Sequence, residues 1–530
     1  MRNLELPGRS PVHAMKAMAA TSHTLSTQAA VDIMRRGGNA MDAAIAACAV
    51  QCVVEPGSTG IGGDCFCLYA PAGAAEPIAY TGSGKAPTGA TPAYYESQGM
   101  AELPRQSPHS VVVPGAAEAW CRLNADHGKL PLAEVLAPAV EYARGGYPIS
   151  SRVSQDWAGA VGLMAANEAM ARIFLPNGRA PREGEVHRQP ELAATLEAVG
   201  AGGRAAFYEG EIAADMLETL QGLGGLHTAE DFAGLTGDYV TPISGEFRGH
   251  TIWQCPPNGQ GVIALLMLNI MAEIETGETP ISTQRIHAEI EACRLAYTAR
   301  NLYVADPAYA EVDLETLLSP AYADKLRGLI DPKRARHPMP EADLVRHEDT
   351  VYISVVDPEG NACSFINTLF EGWGAGVAAP KSGVVFTNRA QGFSLDPASP
   401  NAIAPGKRPL HTIIPGMVSK AGRIVMPYGV MGGQYQAMGH MQFLTRLFDY
   451  GMDIQEAQDA PRFMADPFDG MVEIEGTVPD AIRAELAAMG HKLEAPGKPV
   501  GGSQAIWIDP ETGVRSAGSD PRKDGAAMGF

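Results

Sequence analysis

Runs of apolar positions, broken by clusters of glycine, proline and polar residues, divide this chain into helices and strands. Ser22 or Thr24 can cap a helix that runs through Arg36. Gly37-Gly38-Asn39 then stops it, and an alanine-rich run from about Ala40 to Val53 predicts a second helix across a tight joint. Further helices are predicted over 132–145, 189–199 and 283–303, and near 435–450 and 479–489. Strands are read at Cys65–Ala70, near Pro77–Thr81 and over 424–431. Val351, Ile353, Val355 and Val356 are β-formers, Pro358-Glu359-Gly360-Asn361 reads as a tight turn, and a second strand returns from Ala362 to Leu369. Residues near 305–348, rich in proline and polar groups, read as a surface linker that ends at Thr350. Mixed strands and helices in this order suggest an α/β or α+β layered protein, between which periodicity does not choose.

Composition narrows the class. The chain has 530 residues, 45% hydrophobic and 19% charged, enough to bury a large core. Forty Lys+Arg against 60 Asp+Glu give a formal charge of -20, which argues against a broad nucleic-acid or anionic-membrane surface and favours a small-molecule enzyme. The N-terminus lacks the apolar core of a signal peptide and no run of about 18 apolar residues occurs, so the expected location is cytoplasmic. Eight cysteines without a C-x-x-C or nearby histidine pairs read as buried reduced thiols, and neither a disulfide framework nor a metal site is expected. Cys48 and Cys52, four apart on a predicted helix, read as core packing.

The glycine-rich bend Ser58-Thr59-Gly60-Ile61-Gly62-Gly63-Asp64 raises phosphate binding. No Walker lysine follows it, and it joins a helix to a strand, the reverse of the phosphate-loop order, so its glycines are read as permitting close backbone packing. No cofactor is expected.

The stretch with the most chemistry is Asp349-Thr350 followed by the hairpin. If the bond before Thr350 breaks, one residue gains a hydroxyl nucleophile and a free amine able to take the hydroxyl's proton. An unperturbed α-amine has a pKa of about 7.7–8.0, so a minority is neutral at pH 7 and can act as base, without a histidine. The hydroxyl would attack an amide carbonyl, and water or a second amine would resolve the acyl-enzyme. The oxyanion needs two donors that do not reorganise, and the backbone N–H groups of Gly432 and Gly433 suit that role because glycine lets substrate approach closely.

Six segments together resemble the γ-glutamyltransferase (glutathione hydrolase) family of N-terminal nucleophile hydrolases. They are Arg36-Gly37-Gly38-Asn39-Ala40, Thr59-Gly60-Ile61-Gly62-Gly63, Thr350 to Asn361, Gly406-Lys407-Arg408-Pro409-Leu410, Gly432-Gly433 with the segment through Ala457-Gln458-Asp459-Ala460-Pro461-Arg462-Phe463, and Gly518-Ser519-Asp520-Pro521-Arg522. The resemblance implies an α+β fold, a four-layer αββα sandwich, made from a zymogen that cleaves itself between Asp349 and Thr350. The pieces 1–349 and 350–530 would stay interleaved as one domain, a heterodimer of cleaved subunits acting on small-molecule amides. Thr368 matches the family's threonine whose hydroxyl bonds the nucleophile's amine.

The substrate pocket departs from that pattern. Ser83, in Gly82-Ser83-Gly84-Lys85-Ala86-Pro87, stands where the family has an arginine for the substrate's α-carboxylate, and Lys85 offers a charge from another direction. Gly392 stands where an aspartate would take the α-amine; Phe370 replaces an asparagine, His411-Thr412 replace a serine pair, and the lid between Phe393 and Pro409 is short. Losing both clamps removes charge-assisted hydrogen bonds of roughly 1.5–3 kcal/mol each. Phe370, Trp373, Arg389 and His411 then suggest a pocket for a different acyl group, such as a dicarboxylate half-amide, with His411 acting on substrate, forming the pocket wall, or satisfying a backbone group. The expected activity is a γ-glutamyltransferase-like amide hydrolase or acyltransferase; the alternatives are an oxamate- or glutaryl-type amidase on the same threonine, or an uncleaved non-catalytic homologue.

Overall fold

The hairpin read from the sequence lies at the centre of the molecule, and the rest is layered around it. The computed structural model describes residues 8–275, 277–336, 350–466 and 469–530. Asp349 and the rest of 337–349 therefore lie outside the described residues, and the cleavage site is described only from Thr350 onward.

Strands Val351–Val356 and Ala362–Thr368 pair antiparallel, with Val351 opposite Asn367 and Val356 opposite Ala362. The turn fixes this register. Asp357 Oδ1 accepts the N–H groups of Glu359 (2.9 Å) and Asn361 (3.0 Å), and Gly360 takes a φ of 92°, a left-handed value that glycine tolerates without strain. The hairpin occupies the middle of a seven-stranded sheet whose order is Ala526–Gly529, Met18–Thr21, Val351–Val356, Ala362–Thr368, Asp64–Ala70, Ile78–Gly82, Asp238–Val240. A second seven-stranded sheet runs Val12–Ala14, Arg515–Ser519, Gly502–Ile508, Arg423–Met431, Gly416–Lys420, His250–Gln254, Ile243–Phe247.

Three apolar clusters define four layers. Phe66, Leu68, Tyr352, Ile366, Ile413, Met417 and Ile506 fill the space between the two sheets. The outer face of the first sheet packs through Cys65, Ile353, Val355 and Phe365 on helices Thr24–Arg35, Ala40–Val54 and Leu132–Gly145. Val418, Val425, Tyr428 and Val430 of the second sheet pack on helices Gly261–Met271, Thr283–Tyr303 and Tyr435–Phe448. The fold is thus an α+β, αββα sandwich. Because both faces of the central strands are covered, Val351–Val356 and Asp64–Ala70 are buried at every residue and show no inside–outside alternation.

Most predicted elements lie where the pattern placed them, with three differences. The first helix is capped by His23, whose Nδ1 accepts the Leu25 N–H at 3.2 Å; the Ser22 hydroxyl donates to Glu55 instead (2.6 Å) and that of Thr24 to the Asp524 carbonyl (2.9 Å). The helix expected at 189–199 runs on as Pro190–Tyr208, broken only at Gly203. The supposed linker contains helices Leu314–Leu317 and Pro320–Arg327, capped by Asp313 and Ser319, because Leu317 and Leu326 bury into the outer helical layer. Helix Ala40–Val54 is buried along its whole length, and its alanines let it sit close to neighbouring elements; Asn39 caps it reciprocally with Asp42. All eight cysteines are free thiols, seven of them buried, Cys48 and Cys52 included. Among the described residues, no helix is long and apolar enough to cross a membrane.

Candidate active site around Thr350

Extending the hairpin register by one step sets Thr368 opposite Thr350, and their hydroxyl oxygens lie 3.3 Å apart. Both residues are buried, Thr350 with 2% of its surface exposed. Thr368 Oγ1 also accepts the Phe370 N–H at 2.9 Å, which fixes it as the strand ends. From the other side Gln436 directs its Nε2 at Thr350 Oγ1, at 3.4 Å. The hydroxyl of Thr350 is thus held by two side chains from different layers of the sandwich.

Gly432 and Gly433 leave strand Arg423–Met431 just before helix Tyr435–Phe448, and both adopt left-handed φ values, 118° and 54°. A Cβ on Gly432 would come within 3.0 Å of Gly501 Cα, so this turn requires glycine sterically as well as conformationally. The turn is braced from below. Buried Gln260 donates from Nε2 to the carbonyls of Thr412 (2.9 Å) and Gly433 (3.3 Å), and its Oε1 accepts from Arg300 at 2.8 Å. Arg300 also bonds Gln434 Oε1, and Tyr297 bonds the Gln434 carbonyl. Burial pulls the Arg300 guanidinium down to about 10, which leaves it charged at neutral pH.

The remaining candidate residues divide into two groups. Arg389, on the short turn Arg389–Gly392, lies with its guanidinium carbon 3.7 Å from the centre of the Phe370 ring and donates from Nη1 to Thr412 Oγ1 at 3.3 Å. Its Nε lies 3.6 Å from Asp64 Oδ2, and Nε and Nη2 make no hydrogen bond. Burial lowers its pKa, countered in part by Asp64. His411 completes the cluster: its Nδ1 accepts the Ile413 N–H (3.3 Å), so Nε2 carries the proton given to Asp64 Oδ2 (3.1 Å). Burial, then Arg389, holds it neutral by lowering its pKa to about 4. Both of His411's ring nitrogens are therefore occupied by a backbone group and Asp64. Phe370 reaches its place through a φ of 83°, an unfavourable value for a side chain with a Cβ, which costs about 1–3 kcal/mol. A Cβ on Gly392 would lie 3.0 Å from the Leu410 carbonyl oxygen and 4.0 Å from Arg389 Cδ, so there is little room for a side chain there.

Ser83 belongs to the wall behind this cluster. Its hydroxyl accepts from Asn258 Nδ2 at 3.1 Å, and Asn258 also holds the Pro409 carbonyl and the His411 N–H. Lys85 bridges to Val113 and has Arg408, Asp238 and Asp306 as its charged neighbours, a different set from that around Arg389. Trp373 packs edge-on to Trp157 and Phe174, each at 5.0 Å, and its backbone N–H donates to the Gly57 carbonyl at 2.7 Å. It lines a cleft of about 640 Å3 with Gly57, Arg105, Arg152 and Lys498. Arg152, Glu473, Lys498 and Pro499 continue that cleft into a narrow cavity that reaches Gly432. A cavity of similar size, about 680 Å3, lies between Tyr95, Leu103 and Phe393, and its lining includes neither Thr368 nor Gln436.

Asp64, Gln260 and Gln436 were not singled out from sequence. Asp64 is the lone charge at the head of an apolar strand, which is the available signal for it; Gln436 is one of several polar residues in helix Tyr435–Phe448, with His440, Gln442, Thr445 and Arg446, so its sequence context does not mark it. Among the described residues, His287, Glu291 and His491 form a cluster of possible metal ligands. Its nitrogens already hold one another. Arg294 donates to His491 Nδ1 (3.4 Å), His491 Nε2 to His287 Nδ1 (2.7 Å), and His287 Nε2 to the Asp331 carbonyl (2.7 Å). That relay uses the lone pairs a cation would need.

A family model described as gamma-glutamyltranspeptidase matches residues 26–530. The chain is 36% identical to a glutathione hydrolase-like YwrD proenzyme of Bacillus subtilis, over 97% of this chain and 98% of that one. It is 33% identical to an oxamate amidohydrolase proenzyme of Klebsiella pneumoniae, over 97% and 98% of the two chains. Among solved structures, a cephalosporin acylase from Bacillus halodurans superposes with a TM-score of 0.93 at 39% identity, covering 100% of this chain and 99% of that one.

Proposed function

This chain belongs to the gamma-glutamyltranspeptidase family, and from that premise we propose that it is a self-processing amide hydrolase whose acyl donor carries a free carboxylate and no α-amine. Cleavage between Asp349 and Thr350 yields subunits 1–349 and 350–530, and the new Thr350 amine serves as base for its own hydroxyl. Thr368 lies against the hydroxyl on one side, and the backbone N–H groups of Gly432 and Gly433 take the oxyanion, where one such donor is worth roughly 3–4 kcal/mol.

The observation that carries the substrate reading is Arg389, a fully buried guanidinium with two nitrogens that make no hydrogen bond, cushioned on Phe370. A carboxylate bound there would take the Nη2 donor, Nε being turned toward Asp64 at 3.6 Å. A γ-glutamyl group would bring a cationic amine to the same corner. Gly392 leaves little space for the acid that such an amine requires, and Arg389 would repel it. Relatives named for oxamate amidohydrolase and cephalosporin acylase activity support a donor other than glutathione. We place the enzyme in the cytoplasm, with water as the default acceptor.

The test has two parts. Thr350→Ala is expected to leave one uncut chain of 55.8 kDa without amidase activity. Wild-type protein is expected to hydrolyse oxamate or glutaryl p-nitroanilide at a higher kcat/KM than γ-glutamyl p-nitroanilide; the reverse order, or a processed and active Thr350→Ala protein, defeats the reading.

A further inference from the structure

Gly432 and Gly433 are buried, and among the described residues neither backbone N–H donates a hydrogen bond. Behind them lies a chain of donors. Tyr297, fully buried on helix Thr283–Tyr303, donates its hydroxyl to the Gln434 carbonyl. The N–H of that same peptide group, on Tyr435, donates to the Gly432 carbonyl at 2.9 Å. The Gly432 carbonyl in turn shares its peptide group with the Gly433 N–H. Each bond draws electron density out of the peptide group that makes the next one, so the chain ends in a strengthened donor on Gly433. Arg300 stands at its head, with the guanidinium carbon 4.4 Å from the centre of the Tyr297 ring, where a cation makes the phenol a better donor. Arg300 is fully buried and, among the described residues, forms no ion pair with a carboxylate. Its hydrogen bonds go to the amide oxygens of Gln260, Asn301 and Gln434, so no neighbouring anion cancels its charge beneath the turn.

We propose that Tyr297 and Arg300 are positioning residues that raise the donor strength of the Gly433 N–H, and thereby stabilise the oxyanion over the bound substrate. The inference rests on Thr350 being the nucleophile and on the Gly432-Gly433 turn receiving the oxyanion. In acylation Oγ1 bonds to the carbonyl carbon, the carbonyl π pair moves onto its oxygen, and the hydroxyl proton passes to the α-amine. When the carbonyl re-forms, the C–N bond breaks and the ammonium gives its proton to the leaving nitrogen, which restores the neutral amine. Water then repeats the sequence on the ester: it adds to the carbon, its proton passes to the amine, and Oγ1 leaves and takes that proton back. The same acyl oxygen carries the negative charge in both halves, so the two residues serve acylation and deacylation alike. A neutral carbonyl in the Michaelis complex gains much less from a strengthened donor, which makes the effect one on the transition state.

The test compares a tetrahedral mimic with a ligand that places no oxygen in the turn. For a glutaryl donor these are 4-boronobutyrate, whose boron bonds to Oγ1, and pentanoate, which keeps the carboxylate and has a methyl group in place of the boron. Tyr297→Phe keeps the ring and removes the head of the chain. It is expected to weaken boronate inhibition and to lower kcat/KM by the same factor, about 3- to 10-fold, with pentanoate inhibition changed less than about twofold. Arg300→Gln is expected to lose about 10- to 100-fold in the same two quantities, and Arg300→Lys, which restores the charge, to recover most of that loss. Equal weakening of boronate and pentanoate, or unchanged boronate inhibition in either Tyr297→Phe or Arg300→Gln, overturns the assignment. So does failure of all three variants to fold and process, which would make the pair part of the framework. Failure of the underlying reading appears separately, as a wild-type chain that never breaks before Thr350 and is indifferent to the boronate.

Discussion

Arg389 and Thr350 meet the same physical problem in opposite ways. Thr350 is a neutral hydroxyl placed between Thr368 and Gln436, whereas Arg389 is a charge buried with incomplete compensation from Asp64 3.6 Å away. Buried cations are costly unless paired; Nε of Arg389 is turned to Asp64, while Nη2 makes no hydrogen bond and is left as a donor for an anion. Arg389→Leu is expected to lower kcat/KM for glutaryl or oxamate donors by about 10- to 100-fold, the worth of one charge-assisted bond, and to leave hydrolysis of an uncharged acyl ester within a few-fold. Equal losses on both donors would assign Arg389 to the framework instead. The Thr350 amine sets a second residue-level expectation. It acts only when neutral, so kcat/KM rises with pH through about 7.7–8.0 if the amine is unperturbed. A profile flat from pH 6 to 9 would remove the amine from the role of base.

At the scale of elements, the site is a consequence of one hairpin and one glycine-rich bend. A Cβ on Gly63 would lie 2.0 Å from the Thr368 carbonyl oxygen, and one on Gly62 would lie 2.2 Å from that of Val385, both rigid backbone. The bend thus presses the end of strand Ala362–Thr368 into place beside Thr350. Gly63→Ala is expected to abolish processing or lower the melting temperature by several degrees, and a fully processed variant with wild-type melting would show that the contact relaxes cheaply. How much of this was readable follows from range. The hairpin, its turn and the Thr350–Thr368 pairing are local, and β-formers around Pro358-Glu359-Gly360-Asn361 fix them. The helix pair at 24–54 is likewise a matter of glycine, asparagine and alanine spacing. Gln436 and Gln260 reach the site from the other side of the sandwich and Asp64 from the neighbouring strand of the same sheet, at separations of 86 residues from Thr350 to Gln436 and 347 from Asp64 to His411, and no periodic pattern encodes such meetings. The capping error has the same origin: Ser22 is drawn away by Glu55, 33 residues on. Helices Leu314–Leu317 and Pro320–Arg327 leave little trace in the sequence because four to eight residues carry little periodicity.

Across the whole molecule, the sheet order explains why a cut chain would hold together. In the first sheet, Val351–Val356 lies between Met18–Thr21 and Ala362–Thr368, and Ala526–Gly529 closes the edge beside Met18–Thr21. Strands from either side of Thr350 are therefore hydrogen-bonded neighbours, and the subunits are expected to co-elute until denaturant melts the sheet. Global stability carries a pH signature as well. Burial raises the Glu55 carboxyl from 4.5 to about 7, opposed by Lys523 and by bonds from Ser22 and Gln51. The folded state then holds this proton more tightly than the unfolded chain does. Stability falls as pH rises from about 4.5 to 7, by up to ~3 kcal/mol, and stays lower above that. Glu55→Gln, compared by urea unfolding in the uncleavable Thr350→Ala background, is expected to flatten that slope; an unchanged slope would place its origin elsewhere. The most direct test of the account is N-terminal sequencing and intact-mass analysis of purified, active protein. The account predicts two pieces, one beginning Thr-Val-Tyr-Ile and carrying the acyl group when donor is quenched in turnover. A fully active preparation that remains a single 55.8 kDa chain would contradict it.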